Sequence, residues 1–317
     1  MTYPILGLHH VTATVDDAQA DLDFCLDALG LRLVKRTVNF DNHSVYHFYY
    51  GNDLGRPGTI WTTFPYKGRG VPVGEKGTGQ VTATSFSVPA SSLDYWRTRL
   101  RKRGVTVDPG SDRFGEESIA FADPSGLVIE LVGSDRDERT PWTKGGIAAD
   151  AAIRGLYGVT LTIRAPEPTL ELMTGLLGFE VVNRTKERIR LTVNGDQPGH
   201  AIDILAAGDA GPAKNGLGTV HHVAMAIAEP DQQLRLRQEL VDRGYRVTEV
   251  LDRQYFQSIY FREPGGVLFE VATVRPGFTV DEDPSRLGCD LKLPPWEERN
   301  RPVIEEGLPR IEVPVHR

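Results

Sequence analysis

One order of local signals, repeated four times, limits this chain more than any single motif does: a short strand, an amphipathic helix closed by glycine, then two or three strands. The first copy reads GLHHVTATV, DDAQADLDFCLDALG, then LRLVKRTVNF, SVYHFYYGN and GTIWTTFPY. Asp16 or Asp17 can cap its helix and Gly30 can end it, while Phe24, Ala28 and Leu29 give it an apolar side. The second runs VTATSFSVP, SSLDYWRTRLRKRG, VTVDPGSDRFG, ESIAFADPSG and LVIELVG, with Ser91 or Ser92 as the cap. The third begins IRGLYGVTLTIR, continues through TLELMTGLLG, FEVVNRT, RIRLTVNG and HAIDILAAG, and ends in the glycine-rich GDAGPAKNGLG. The fourth is HHVAMAIAEP, DQQLRLRQELVDRG, YRVTEVLDRQYF, QSIYFREPGG and VLFEVATV.

A single βαβββ unit leaves one face of its curved sheet bare, so copies must pair. The expected class is α+β, with four βαβββ modules paired into two barrel-like domains. The hydrophilic stretch at 133–150 suits a linker. It places a pair of modules in residues 1–140, a second pair in 150–275 and an extended tail in 276–317.

Two copies open on a histidine doublet, and strand alternation sorts each doublet by face. Val11, Ala13 and Val15 form the apolar side of the first strand, leaving His10 with Thr12 and Thr14 on the other. In the fourth copy Val223, Met225 and Ile227 are the bulky side, so His222 shares its face with Ala224 and Ala226. In the last strand Val267, Phe269 and Val271 take the apolar face and Glu270 points the other way, where an unpaired carboxylate would be costly to bury. Two imidazoles and a carboxylate in one cavity are the ingredients of a 2-His-1-carboxylate metal site, provided copies one and four share a barrel. Copy three has Tyr157 and Gly158 where the doublet would stand, and copy two keeps only a carboxylate, Glu130. One full site and one degenerate barrel are therefore expected, with Glu130 salt-bridged or solvated. His43, His47 and His200 receive no role, and the acidic run at 281–284 reads as a turn or solvated face.

At 317 residues, with 40% hydrophobic and 25% charged residues, the composition is that of a globular protein. The net charge of -7, with both signs interspersed, argues against nucleic acid or an anionic membrane as partner. No signal peptide or membrane-length apolar run is evident, so the expected location is cytoplasmic. Cys25 and Cys289 are far apart and read as two buried thiols rather than a disulfide or thiolate cluster.

The segments GLHHVTATV, LRLVKRTVNFD, YHFYYGNDLGRPGTIWTTFP, HHVAMAI, PGGVLFEVAT and PGFTVDEDPSRLGCDLKLP resemble the vicinal-oxygen-chelate superfamily, and within it the hydroquinone-type ring-cleaving dioxygenases. The resemblance covers essentially the whole chain. It implies an Fe(II)-dependent enzyme that cleaves the ring of a hydroquinone or related dihydroxy-aromatic with O2. Its implied metal ligands are His10, His222 and Glu270, the three residues that alternation selects, with Mn(II) or another divalent ion as the alternative metal. The same resemblance carries His9, His221 and Tyr260 over as catalytic neighbours and Thr12 as a substrate contact. Arg253 is the nearest counterpart of the family's substrate-binding arginine. Simple alternation turns His9 and His221 away from the metal, so a bulge or strong twist would have to bring them near the substrate. The implied partners are a small aromatic substrate and O2, with room for a homo-oligomer. A metal-dependent lyase or isomerase, or a non-catalytic aromatic-binding protein, could use the same scaffold.

Overall fold

The four repeats are laid out in space in a computed structural model that describes residues 5–110 and 113–313. Module one contains β1 (Ile5–Val15), α1 (Ala18–Asp23), β2 (Arg32–Asn39), β3 (Asn42–Gly51) and β4 (Ile60–Pro65). Module two contains β5 (Gln80–Val88), α2 (Leu93–Lys102), β6 (Asp108–Pro109), β7 (Ser118–Ala122) and β8 (Val128–Gly133). Module three contains β9 (Gly155–Ile163), α3 (Glu167–Gly175), β10 (Glu180–Arg184), β11 (Arg188–Thr192) and β12 (Ala201–Ala206). Module four contains β13 (Thr219–Ile227), α4 (Pro230–Asp242), β14 (Leu251–Asp252), β15 (Gln257–Arg262) and β16 (Leu268–Thr273). A last helix, α5 (Arg301–Gly307), lies in the tail.

The modules form two eight-stranded, curled sheets, ordered β14-β15-β16-β13-β1-β4-β3-β2 and β10-β11-β12-β9-β5-β8-β7-β6. Module one thus pairs with module four, and module two with module three. This corrects the expectation that 1–140 and 150–275 would each pair their own two modules: each barrel takes one module from each half of the chain. The joining strands explain why. β1 and β13 pair antiparallel, as do β5 and β9, so the edge left open by the first strand of each module is satisfied by the first strand of its partner.

Local chemistry follows the sequence with a few departures. Asp17 caps α1 by accepting from Ala20 N at 2.9 Å, and a π-helical turn, Phe24–Ala28, carries the chain to Gly30 at φ +67°. The Ser92 hydroxyl does not cap α2; it donates to the Pro89 carbonyl. The strand expected over YRVTEVLDRQYF shrinks to Leu251–Asp252, because the chain turns at Gln254 with φ +65°. Apolar side chains of the helices and of the outer sheet faces, among them Val11, Leu22, Trp96, Leu161, Leu236 and Phe269, form one continuous core.

The glycine-rich stretch before β13 runs against residues 73–78, with bridges between Val73 and Leu217, Glu75 and Lys214, and Thr78 and Pro212. A Cβ added at Gly77 would lie 2.4 Å from the Gly211 carbonyl oxygen, so the two linkers can meet only because glycine stands there. The tail is not merely extended. It contains α5 and three 3-10 turns, and Leu291 bridges to Arg36 on the edge strand β2. Of the two cysteines, Cys25 is buried, but Cys289 is exposed, which corrects the reading of two buried thiols.

Candidate metal centre

Pairing β1 with β13, and β13 with β16, sets His10 opposite Ala224 and Ala224 beside Glu270. The small alanine leaves the space into which the larger side chains converge. His10 Nε2 and His222 Nε2 are 3.2 Å apart, and Glu270 Oε2 lies 3.2 Å from the first and 2.9 Å from the second. All three side chains are buried, and among the described residues they are the one cluster of His, Cys, Asp and Glu able to share a metal ion.

These separations are close to the roughly 3 Å expected between ligands at right angles around an ion with bonds of about 2.1 Å. Glu270 Oε2 makes no hydrogen bond to any group other than the two imidazoles, despite its burial. An orphaned carboxylate oxygen facing two imidazole nitrogens fits a divalent cation. Burial would raise the Glu270 pKa, but the adjacent His10 and His222 outweigh it and hold the group well below its ordinary range. Ser258, two residues before Tyr260 and on the same face, donates to the other oxygen, Oε1, and fixes the carboxylate's rotation.

The first histidine of each doublet sits at an irregularity. The β1–β13 register slips between Leu8 and His10, and again between Thr12 and Ala13, where the partner steps from His222 to Val220. These bulges lie at His9 and His221 and supply the distortion that simple alternation lacks. His9 Nδ1 reaches His10 Nδ1 at 2.8 Å, and His221 Nδ1 reaches His222 Nδ1 at 2.7 Å. Burial, reinforced by the adjacent imidazole, lowers the pKa of both His9 and His221 to about 3, so each is neutral near pH 7.

A cavity of about 470 Å³ opens beside the cluster. His10, His221, His222, Arg253 and Tyr260 line it, together with Phe64, Tyr49 and Phe256. His9 and Thr12 are not among its lining residues. His9 packs behind His10 against Phe256, with ring centroids 4.9 Å apart. Thr12 accepts a hydrogen bond from Thr62 Oγ1 at 2.8 Å. Tyr260 Oη accepts from Arg253 Nε at 3.3 Å, and Arg253 also pairs with Asp41 at 3.2 Å. Burial and the Glu270 charge push the Tyr260 phenol up, so it remains an O–H donor at neutral pH.

His47, given no role from the sequence, also lines this cavity. Its Nε2 is 2.9 Å from Thr62 Oγ1. Because Thr62 donates onward to Thr12, His47 must donate through Nε2–H, which leaves Nδ1 as an acceptor. Alternation in YHFYY does put His47 and Tyr49 on one face, but it does not tell which face meets the barrel interior. Phe256 and Asp41 stand on irregular segments and carry no periodic signal at all.

The other barrel shows what replaced the site. By register, Gly158 stands where His10 does, Ala83 where His222 does, and Glu130 where Glu270 does. Arg113, fully buried, donates to Glu130 and, at 2.9 Å, to Ser85 Oγ. Its far nitrogen lies 3.5 Å from Asp203, which also binds Arg188 and Arg190. A guanidinium thus supplies the positive charge that a metal would supply opposite Glu130.

Comparison with known proteins agrees with this architecture. A family model described as the Glyoxalase/Bleomycin resistance protein/Dioxygenase superfamily matches residues 7–131 and 156–271. MhqO of Bacillus subtilis (strain 168), which bears the name of a ring-cleaving dioxygenase, is 42% identical over 313 residues, spanning 99% of each chain. The chlorohydroquinone/hydroquinone 1,2-dioxygenase of Sphingobium indicum is 37% identical over 300 residues, spanning 92% of each. A crystal structure of a Bacillus subtilis protein titled as a dioxygenase superposes with a TM-score of 0.94 at 42% identity over 99% of both chains. Glyoxalase I from Zea mays, 12% identical with a TM-score of 0.61 over 84% of this chain and 92% of its own, shares the fold alone. The chain belongs to the Glyoxalase/Bleomycin resistance protein/Dioxygenase superfamily and, through relatives that span nearly its full length, to the ring-cleaving dioxygenases within it.

Proposed function

We propose that the protein is an Fe(II)-dependent dioxygenase that cleaves the ring of a hydroquinone or a related dihydroxy-aromatic with O2. The observation that carries this reading is the buried His10–His222–Glu270 cluster at the wall of an aromatic-lined cavity holding Arg253, Tyr260 and the uncharged His47 and His221. A fourth protein donor, as a lyase or isomerase site often has, is missing from the cluster among the described residues. Similarity to the hydroquinone dioxygenase of Sphingobium indicum supports the substrate class.

A ferrous ion held by His10, His222 and Glu270 would supply binding for a phenolate oxygen and O2 and electron density for oxygen activation. The chain's own residues do the rest. Phe64, Phe256 and Tyr49 wall the cavity with apolar ring surface that excludes water and suits a flat ligand. Arg253 offers a positive charge toward the ionised ring, and the protonated Tyr260 hydroxyl donates a hydrogen bond beside the cluster. His221, neutral and lining the cavity with its Nδ1 engaged by His222, keeps its remaining N–H as a hydrogen-bond donor for the bound ligand. Both oxygen atoms enter the product, one ring carbon–carbon bond breaks, and no external reductant is consumed.

Reconstitution with Fe(II) under nitrogen, followed by oxygen uptake with a panel of hydroquinones and catechols, tests the reading. One O2 consumed per ring opened is expected. Protein that holds iron stoichiometrically yet consumes no oxygen with any member of the panel would refute it. In the active enzyme, Tyr260→Phe should lower kcat by about 100-fold, the scale of one positioned proton donor. Full turnover with the wild-type pH profile would remove Tyr260 from the chemistry.

A further inference from the structure

The acidic run at 281–284 reads as a solvated turn, yet Glu282 is buried and Asp281 is largely covered by strand β2. The fully shielded Lys35 Nζ donates to Asp281 Oδ1 at 2.5 Å and to the Glu282 carboxylate. The same Glu282 accepts from Gly288 N at 3.3 Å and Asp290 N at 3.4 Å, which ties the tail back onto itself. Lys35 Nζ also lies 5.0 Å above the Tyr255 ring. The Tyr255 hydroxyl donates to the second oxygen of Asp281 at 3.1 Å, and Gly277 N donates to the Tyr255 carbonyl at 2.8 Å. Phe278 packs on both Tyr255 and Tyr49, with centroids 5.0 Å apart in each case.

A buried lysine with two carboxylates gives little net stability over apolar side chains of the same volume. What it does provide is one hydrogen-bonded geometry, and Tyr255 is the residue that receives it. Tyr255 belongs to the tight turn 253–256, where Arg253 N donates to Phe256 O at 2.9 Å. Its neighbours in that turn face the other way. Arg253 reaches the Tyr260 hydroxyl, and Phe256 packs against His9 and His10 at 4.9 and 5.2 Å.

We propose that Lys35, Asp281, Glu282 and Tyr255 form a clamp through which the C-terminal segment positions Arg253 and Phe256, and thereby sets the cavity's affinity for its aromatic ligand. These four are positioning residues. None of them lines the cavity; they act through the turn, and Tyr255 also backs the wall residue Tyr49, with ring centroids 6.0 Å apart. The effect on ligand affinity rests on the dioxygenase reading; the effect on the turn does not.

Tyr255→Phe removes the hydroxyl tether and keeps the packed ring, and Lys35→Met removes the charge and keeps the volume. Hydrogen exchange on the full-length, metal-free protein should show amides of residues 251–257 exchanging about tenfold faster in Tyr255→Phe, the effect of losing one hydrogen bond, with β1 unchanged. In the iron-loaded enzyme, KM for hydroquinone should rise about tenfold while kcat stays within about twofold. Unchanged exchange at 251–257, or equal acceleration throughout the chain, overturns the clamp, and so does an unchanged KM. Should Lys35→Met fail to fold, Tyr255→Phe decides alone. A wild-type protein that turns over no hydroquinone overturns the substrate reading instead, and the exchange measurement still decides the clamp.

Discussion

With a metal held at both Nε2 atoms, His10 and His222 must carry their protons on Nδ1 and donate to the preceding histidine in each doublet. His9 and His221 then accept through Nδ1 and keep a proton on Nε2. Each doublet is thus a ligand with its own orienting partner. Replacing His9 or His221 with alanine should weaken ferrous ion binding about 10- to 100-fold, measured by competition with a chromophoric chelator. Unchanged affinity would mean that packing alone orients the rings. Asp21 makes a separate prediction at this scale. Burial raises its pKa from 3.8 to about 7, against the hydrogen bonds it accepts from Thr63 and Tyr50. Because the folded protein favours the protonated carboxyl, this contribution to stability is complete below about pH 4 and is lost as the pH rises through about 7. Asp21→Asn should therefore stabilise the protein by about 2 kcal/mol near pH 8 and be close to neutral near pH 4, as read by denaturant melts at the two pH values.

Among the elements, the irregular ones set the site's shape. The bulges at His9 and His221 turn two simple strands into carriers of paired histidines, and the turn after β14 presents Arg253 and Phe256. The contact between the two interstrand linkers is equally specific, because a side chain at Gly77 would run into the backbone of residues 211–213. Gly77→Val should cost about 2 kcal/mol or more, since backbone rather than a flexible side chain must move aside. A thermal unfolding midpoint equal to that of wild type would show that the linkers separate without cost.

In the molecule as a whole, two barrels of like design have taken different courses. One gathers two histidines and a glutamate, whereas the other answers its glutamate with Arg113. One metal ion per chain is therefore expected. Arg113→Met should leave that stoichiometry intact while destabilising the fold by about 3–5 kcal/mol, because Glu130 and Asp203 lose a buried cation. Metal analysis alongside chemical denaturation checks both halves of the statement. Loss of metal from this variant would mean that the two barrels are not independent.

His10, His222 and Glu270 were legible in the sequence because alternation along a strand is a local property: whichever strand pairs with it, every second residue shares a face. The four modules were legible for the same reason, since helix caps, glycine stops and strand periods are written within a few residues of each other. Which modules pair was not, because strand partners are chosen by complementary edges far apart in the chain, and the halves 1–140 and 150–275 each give one module to each barrel. Nor could alternation assign His9, His221, Phe256 or the lysine-bound acids 281–282, whose positions depend on bulges, a left-handed turn and a tail folded back onto β2. Sequence alone determined which side chains could be ligands. Tertiary structure decided that they meet, what orients them and what walls the cavity, because these depend on contacts between segments whose separation in the chain carries no local signal.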